Sequence, residues 1–296
     1  MDMRTDLYPS RAQPSPGFLD RQDPVLYGVP GQRAALSAEQ CESYARDGFL
    51  ILSDLFAEAE LGAFRAELER LRRSDEIRNG ETVITEPGSG EVRSIFKVHR
   101  LSPVFASLAA DRRLVGLAEF ILGDRVYVHQ SRLNYKPGFV GKEFYWHSDF
   151  ETWHVEDGMP RMRALSMSIS LTDNNPLNGP LLLVPGSHRH YVACVGETPE
   201  EHYKESLKKQ EYGVPDDDSL RRLVDAGGIV AVTGGVGSVA IFDCNTMHGS
   251  NGNITPYDRA NVFLVYNAVC NRLVEPFGAP SPRPHFIAER EDVAPL

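Results

Sequence analysis

In the run Tyr145-Trp146-His147-Ser148-Asp149-Phe150, a histidine and an aspartate stand two residues apart. On an extended strand that spacing turns both side chains to one face, so two ligands converge without a special loop. A third candidate, His248, lies in Asp243-Cys244-Asn245-Thr246-Met247-His248-Gly249-Ser250, just beyond a predicted strand. Two imidazoles and one carboxylate occupy one face of an octahedron and leave three positions open. Non-haem Fe(II) that must bind a chelating cosubstrate and O2 together needs that arrangement. Short His and Asp combinations also arise by chance, and two others compete here, His154-x-Glu156 and His188-x-His190. The latter ends the stretch from Asn178 to His188, where Gly and Pro mark a turn and a histidine most simply packs against it. His147, Asp149 and His248 are therefore read as the catalytic and metal-binding set.

Eleven residues after His248, Arg259 opens the apolar run Arg259 to Ala268. An arginine entering a strand beside the last metal ligand can make a paired, charge-assisted contact with the far carboxylate of a dicarboxylic cosubstrate, which suits 2-oxoglutarate. The alternative is an arginine in solvent. Strand parity sets Arg259, Asn261, Phe263, Val265 and Asn267 on one face and Ala260, Val262, Leu264 and Tyr266 on the other. Along Arg125 to Tyr135, parity separates Val126, Val128, Gln130, Arg132, Asn134 and Lys136 from Tyr127, His129, Ser131, Leu133 and Tyr135. The first set is either wet or lines a polar cavity. In Ala164 to Thr172, Ser166, Ser168, Ser170 and Thr172 alternate with Leu165, Met167, Ile169 and Leu171, and a face of small residues leaves interior room for a ligand.

These residues need elements to hold them. Ser37-Ala38-Glu39-Gln40 is a capping-box pattern that opens a helix to about Arg46, and Phe49 to Leu52 reads as a strand. From Ala57 to Arg73, Leu61, Phe64, Leu68 and Leu71 recur at helical spacing. After Gly123-Asp124 come short alternating runs broken by Gly, Pro, Asn and Asp, the rhythm of a sandwich or barrel. They include Pro180 to Val184, Ile229 to Val232 and Ser238 to Phe242. The chain divides into a proline-bearing extended arm over residues 1–35, expected to lie on the surface, and a mainly helical flank over 36–123. A β core follows over 124–270, then a tail over 271–296. The charged segment 197–223 reads as a helical or mobile, solvated insertion.

Composition sets the outer bounds. The 296 residues hold 31 Lys plus Arg against 41 Asp plus Glu, a formal net charge of −10 that disfavours a broad basic surface for nucleic acid. With 42% hydrophobic and 24% charged residues the chain can build a core. Aliphatic runs such as Leu181 to Val184 are too short to span a membrane, and the charged N-terminus is unlike a signal peptide, so a cytoplasmic protein is expected. Cys41, Cys194, Cys244 and Cys270 are widely spaced and read as buried thiols.

The run Phe144 to Ser166 as a whole resembles the signature of bacterial ectoine hydroxylases, within the phytanoyl-CoA dioxygenase-like group of Fe(II)/2-oxoglutarate oxygenases. Asp20-Arg21-Gln22-Asp23-Pro24-Val25 to Gly28, the turn from Asn178 to His188 and the stretch from His248 to Arg259 extend the resemblance over nearly the whole chain. It implies a mainly β double-stranded β-helix, or jelly roll, with flanking helices, in one oxygenase domain over 1–296. It also implies homodimers, with Fe(II) on His147, Asp149 and His248. The 2-oxoglutarate contacts it implies are Lys136, Phe144, Ser250 and Arg259, and the ectoine contacts are Gln130, Arg132, Thr152, Trp153 and Phe263. Strand parity agrees for Gln130, Arg132, Lys136, Arg259 and Phe263. For Trp153 it agrees only if the strand runs on past Glu151, and ordinary core packing is the alternative.

The implied activity is hydroxylation of ectoine to 5-hydroxyectoine, consuming O2 and 2-oxoglutarate and releasing succinate and CO2, a step in making a compatible solute under osmotic stress. Ectoine is a small cyclic amidinium carboxylate, so aromatic faces such as Trp153 and Phe263 suit its cation and Arg132 its carboxylate. Rival readings are a related oxygenase acting on another small zwitterion such as proline or on an acyl thioester, and a jelly roll holding a metal without redox chemistry.

Overall fold

The computed structural model describes residues 5–31, 35–86, 88–199, 203, 212–291 and 293–296. Much of the charged insertion, 200–202 and 204–211, lies outside them.

Strands β1 (Gly17–Asp20), β2 (Phe49–Leu52), β3 (Val83–Thr85), β4 (Val92–Phe96), β5 (Val126–Lys136), β6 (Phe144–His147), β7 (Ala164–Ser170), β8 (Leu181–Leu183), β9 (His190–Ala193), β10 (Val230–Ala231), β11 (Val239–Asp243), β12 (His248–Ser250) and β13 (Arg259–Ala268) carry the architecture. One sheet has the order β2-β11-β7-β13-β5-β4-β3, a second β10-β8-β12-β6, and β1 pairs with β9. Alternation decides what each face meets. Along β13, Ala260, Val262, Leu264, Tyr266 and Ala268 join Leu165, Met167 and Ile169 of β7 in a core beneath the helices. Opposite, Phe263 meets Ala240 and Phe242 of β11 and Leu181 and Leu183 of β8, closing the space between the two sheets. The result is the expected jelly roll with flanking helices.

The helices that cover the large sheet are α1 (Ala38–Asp47), α2 (Glu58–Arg73), α3 (Asp75–Arg78), α4 (Val98–Leu101), α5 (Pro103–Ala109) and α6 (Arg112–Leu122); α7 (Asp149–Asp157) and α8 (Asp217–Gly227) follow. The capping box of α1 is formed, with Ser37 Oγ accepting from Gln40 N and Gln40 Oε1 from Ser37 N. Leu61, Phe64, Leu68 and Leu71 of α2 are buried as their spacing requires. The Tyr266 hydroxyl donates to Ala109 O at 2.9 Å and ties the sheet to α5. The predicted helical flank also supplies β2, β3 and β4 to the large sheet, and the insertion becomes helical at α8, where Leu223 is buried.

Three expectations are corrected. The arm does not simply lie on the surface: Tyr8 is fully buried, β1 pairs with β9, and Arg21 reaches Asp243 at 2.7 Å with both side chains enclosed. Cys41, Cys194 and Cys244 are buried free thiols, but Cys270 is exposed. Simple parity along β5 fails at one point. Val265 faces Gln130 while Tyr266 faces Val128, so β5 carries one extra residue, a β-bulge at His129. Past it Val126 and Val128 join Leu133 and Tyr135 beneath the helices, and Tyr127 turns inward to accept from Asn267 Nδ2. No helix of the described residues is long and apolar enough to cross a membrane.

Candidate metal centre and anion pocket

His147 ends β6, Ser148 stands at the N-cap position with its hydroxyl donating to Asn245 Oδ1, and Asp149 is the first residue of α7. The two ligands therefore converge through a strand-to-helix junction, not through a continuous strand, because Asp149 and Glu151 favour a helix start. Antiparallel pairing sets His248 of β12 directly across from His147, with ring centroids 4.2 Å apart. Asp149 Oδ1 lies 3.8 Å from His147 Nε2, and Oδ2 lies 3.8 Å from His248 Nε2. Among the described residues this is the one group of three or more potential ligands gathered closely enough to hold a metal ion.

The backbone selects the tautomers. His147 Nδ1 donates to Tyr145 O at 2.6 Å and His248 Nδ1 to Thr246 O at 2.9 Å, so each Nε2 keeps its lone pair for a metal. Burial, reinforced by His248, pushes the His147 imidazole down to about 3, favouring the neutral ring that coordinates. Burial works against ionised Asp149, but His248, His147 and Arg132, with a hydrogen bond from Ser166 Oγ, hold its carboxyl below the usual range. The donor set fits a divalent iron.

Beside the triad the same cavity is lined by Phe144, Ser250, Arg132, Arg259 and Phe263. Arg259 and Lys136 are cross-strand partners, both essentially buried. Lys136 Nζ donates to Ser250 Oγ at 2.7 Å and to Asn251 O, and it lies 5.4 Å from the Phe144 ring centroid. Burial, with Arg259 and Arg93 nearby, lowers the Lys136 ammonium to about 6. Burial, with Arg132 and Arg93, lowers Arg259 to about 10, and among the described residues its Nε has no hydrogen-bond partner. Gly179 has φ +71, and a Cβ there would stand 2.8 Å from Lys136 Cδ. The Asn178-Gly179 turn thus closes over the lysine as only glycine permits. A buried guanidinium with a spare donor, beside a lysine whose charged form a bound anion would favour, forms a receptor for an anion.

The remaining expected contacts divide. The Arg132 guanidinium sits 5.0 Å from the centroid of Phe263, so each bears on the other. Gln130 faces inward but already donates to Ile287 O at 2.8 Å. Thr152 and Trp153 lie on α7, not on an extension of β6, because the helix begins at Asp149. Trp153 is buried with Tyr8, Phe150 and Val265 and meets His129 edge-on at 5.1 Å. Both nitrogens of His129 and the Thr152 hydroxyl are buried without hydrogen-bond partners among the described residues. His154 and His188 are not ligands. His154 is held by Met159 O and Asp6, and His188 by Ala45 O against the turn.

Sequence reasoning missed several neighbours of the site. Arg93 donates to Glu86 and to Glu143 O and lies 3.6 Å from the Phe144 centroid. His129 turns inward because of the bulge. Arg283 reaches in from the tail to pair with Asp157. The period-two pattern carries no signal for a bulge or for a tail that folds back.

The family model for phytanoyl-CoA dioxygenase (PhyH) matches residues 44–261. The ectoine dioxygenase of Bordetella bronchiseptica is 61% identical over 286 residues, covering 97% of this chain and 93% of that one. That of Stutzerimonas stutzeri is 57% identical over 294 residues, covering 99% and 97%. The crystal structure of EctD from S. alaskensis with 2-oxoglutarate and 5-hydroxyectoine has a TM-score of 0.91 and 53% identity, covering 99% of this chain and 97% of that one. The EctD structure with bound Fe has a TM-score of 0.89 and 52% identity, covering 99% and 97%. Matched along most of its length by the family model and by relatives over nearly its whole length, this chain belongs to the phytanoyl-CoA dioxygenase family.

Proposed function

We propose that the protein is an Fe(II)- and 2-oxoglutarate-dependent dioxygenase that hydroxylates ectoine to 5-hydroxyectoine. The observation that carries this reading is one cavity lined by His147, His248 and Arg259, with Asp149 completing the triad and buried Lys136 directly across the strand from Arg259. Iron held by the triad would supply O2 activation coupled to decarboxylation of 2-oxoglutarate. One oxygen atom ends in succinate and the other in the new hydroxyl, with CO2 released. The chain supplies the positions. Arg259 and Lys136, with Ser250 and Phe144, hold the far carboxylate of 2-oxoglutarate and aim its keto acid end at the triad. Arg132, steadied by Phe263, meets the ectoine carboxylate, while Trp153, Thr152 and Gln130 line the substrate's side. Water is excluded by the closed space between the sheets, which is the protein's share in cofactor chemistry.

Contacts drawn from Gln130 to Phe263 support reading 1–296 as one oxygenase unit, and four free thiols suit the reducing cytoplasm. Incubating the Fe(II)-loaded protein aerobically with 2-oxoglutarate and ectoine is expected to give succinate and a hydroxylated product in equal amounts. Succinate released only with proline or another zwitterion would move the substrate assignment. No succinate with any of them would leave a metal-binding jelly roll.

The charge state of Lys136 gives a second expectation. Near pH 7.5 an ammonium lowered to about 6 is mostly neutral, whereas a bound carboxylate favours the cation. Binding of 2-oxoglutarate therefore takes up a proton, and its affinity weakens as pH rises above about 6. Calorimetric titrations of the anaerobic Fe(II) protein in buffers of different ionisation enthalpy should show uptake approaching one proton. Proton release, or a slope unchanged in Lys136→Met, would refute this.

A further inference from the structure

We propose that Arg11, on the N-terminal arm, is a positioning residue for the reaction. It clamps α7, the helix that carries Asp149 at its first position and Thr152 and Trp153 on its length. Arg11 Nε and a terminal nitrogen donate to both oxygens of Glu151 at 3.0 and 2.7 Å. The other terminal nitrogen donates to Glu156 Oε1 at 2.7 Å and to Thr198 Oγ1 at 2.9 Å. The side chains of Arg11, Glu151 and Glu156 are at most 2% exposed. Ser10 Oγ adds a bond to Glu151 Oε1 at 2.6 Å and accepts from Cys194 N, while Arg11 N donates to Cys194 O. Arg11 is thus pinned to the strand-side chain before it grips the helix. Its backbone takes the left-handed φ of 56°, an uncommon conformation for a residue with a Cβ.

Stability alone accounts poorly for this arrangement. A buried Arg–Glu–Glu set pays heavy desolvation, and well-packed apolar residues generally serve stability as well or better. Glu156 in the last turn of α7 also sits at the unfavourable end of the helix dipole. What the set provides is geometry, because a planar fork bound to two carboxylates five residues apart fixes both the rotation and the height of a nine-residue helix. Gly213, at φ +68, closes the cluster. A Cβ there would lie 2.5 Å from the Arg11 guanidinium and 2.6 Å from Glu151 Oε2, so backbone seals the pair from water. From the other side Arg283 pairs with Asp157 at the helix end. A shift of α7 would carry the metal ligand and the Trp153 wall together.

The inference rests on the dioxygenase reading above. Its test uses the full-length, Fe(II)-saturated protein and compares wild type with Arg11→Lys, which keeps the charge and loses the fork. The expected result is a KM for ectoine raised roughly 10- to 100-fold, the scale on which an ångström of misplacement acts. More succinate should form per hydroxylated product than in wild type, while the KM for 2-oxoglutarate, whose far carboxylate is held from strands, rises less than that for ectoine. A structural role alone would lower the folded fraction and activity in step without altering the product ratio; that result, or wild-type coupling, overturns the proposal. If Arg11→Lys does not fold, Glu156→Gln decides by the same ratio. Wild-type protein that makes no hydroxylated ectoine would instead sink the underlying reading.

Discussion

Asp149→Ala leaves a folded protein with no detectable coupled turnover. The carboxylate is the one anionic member of the triad, 3.8 Å from each ligating nitrogen, and without it two neutral imidazoles must hold a dication. Residues that merely orient metal ligands are worth about 10- to 100-fold in affinity, so removing a ligand costs more than roughly 100-fold. The cost to folding is small by comparison. Asp149 at the first position of α7 interacts with the helix dipole, worth about 0.3–1 kcal/mol near a surface, and Ser166 loses one acceptor. Metal content after anaerobic dialysis, with succinate and hydroxylated product measured together, checks both statements. Wild-type-like consumption of 2-oxoglutarate in this variant would overturn the assignment of the triad.

The parts of this site that were legible in the sequence are those set by local periodicity. Along β13 the split between Arg259, Asn261 and Phe263 and their apolar neighbours holds from end to end, because the strand is regular and each face meets a different layer. The capping box of α1 is equally local. The three candidate metal ligands are legible by residue type, but their geometry is not, since a period-two argument cannot see a strand give way to a helix between His147 and Asp149. On β5 a single inserted residue reverses parity and turns His129 inward, and nothing in composition marks it. The arm and the tail were illegible for another reason. Ser10 and Arg11 are ordered by carboxylates some 140 positions away, and Gln130 by Ile287 O across 157 positions. Such burial follows from charge pairing in three dimensions, and short windows of sequence do not contain it.

Arg259→Gln should separate cosubstrate binding from everything else. The guanidinium is 1% exposed, and among the described residues no carboxylate pairs with it. Burial and the neighbouring Arg132 and Arg93 lower it to about 10, which still leaves it charged at neutral pH. A buried cation of this kind destabilises the free protein and is relieved when a dianion binds. Loss of one member of a buried charge pair costs about 2–5 kcal/mol. At 1.4 kcal/mol per factor of ten, the KM for 2-oxoglutarate rises roughly 30- to 3000-fold. The KM for ectoine changes little, since its proposed contacts lie on Arg132, Phe263 and α7. The same argument fixes a sign for stability: without 2-oxoglutarate, Arg259→Gln melts at or above the wild-type temperature. Wild type gains on adding 2-oxoglutarate, about 2.7 kcal/mol at 100 times its Kd, and the variant at the same concentration gains far less. Thermal melts with and without 2-oxoglutarate, read beside steady-state kinetics, test both halves. A KM within twofold of wild type would place the far carboxylate elsewhere. A variant that loses stability without ligand would show that Arg259 is a structural cation already compensated in the free protein.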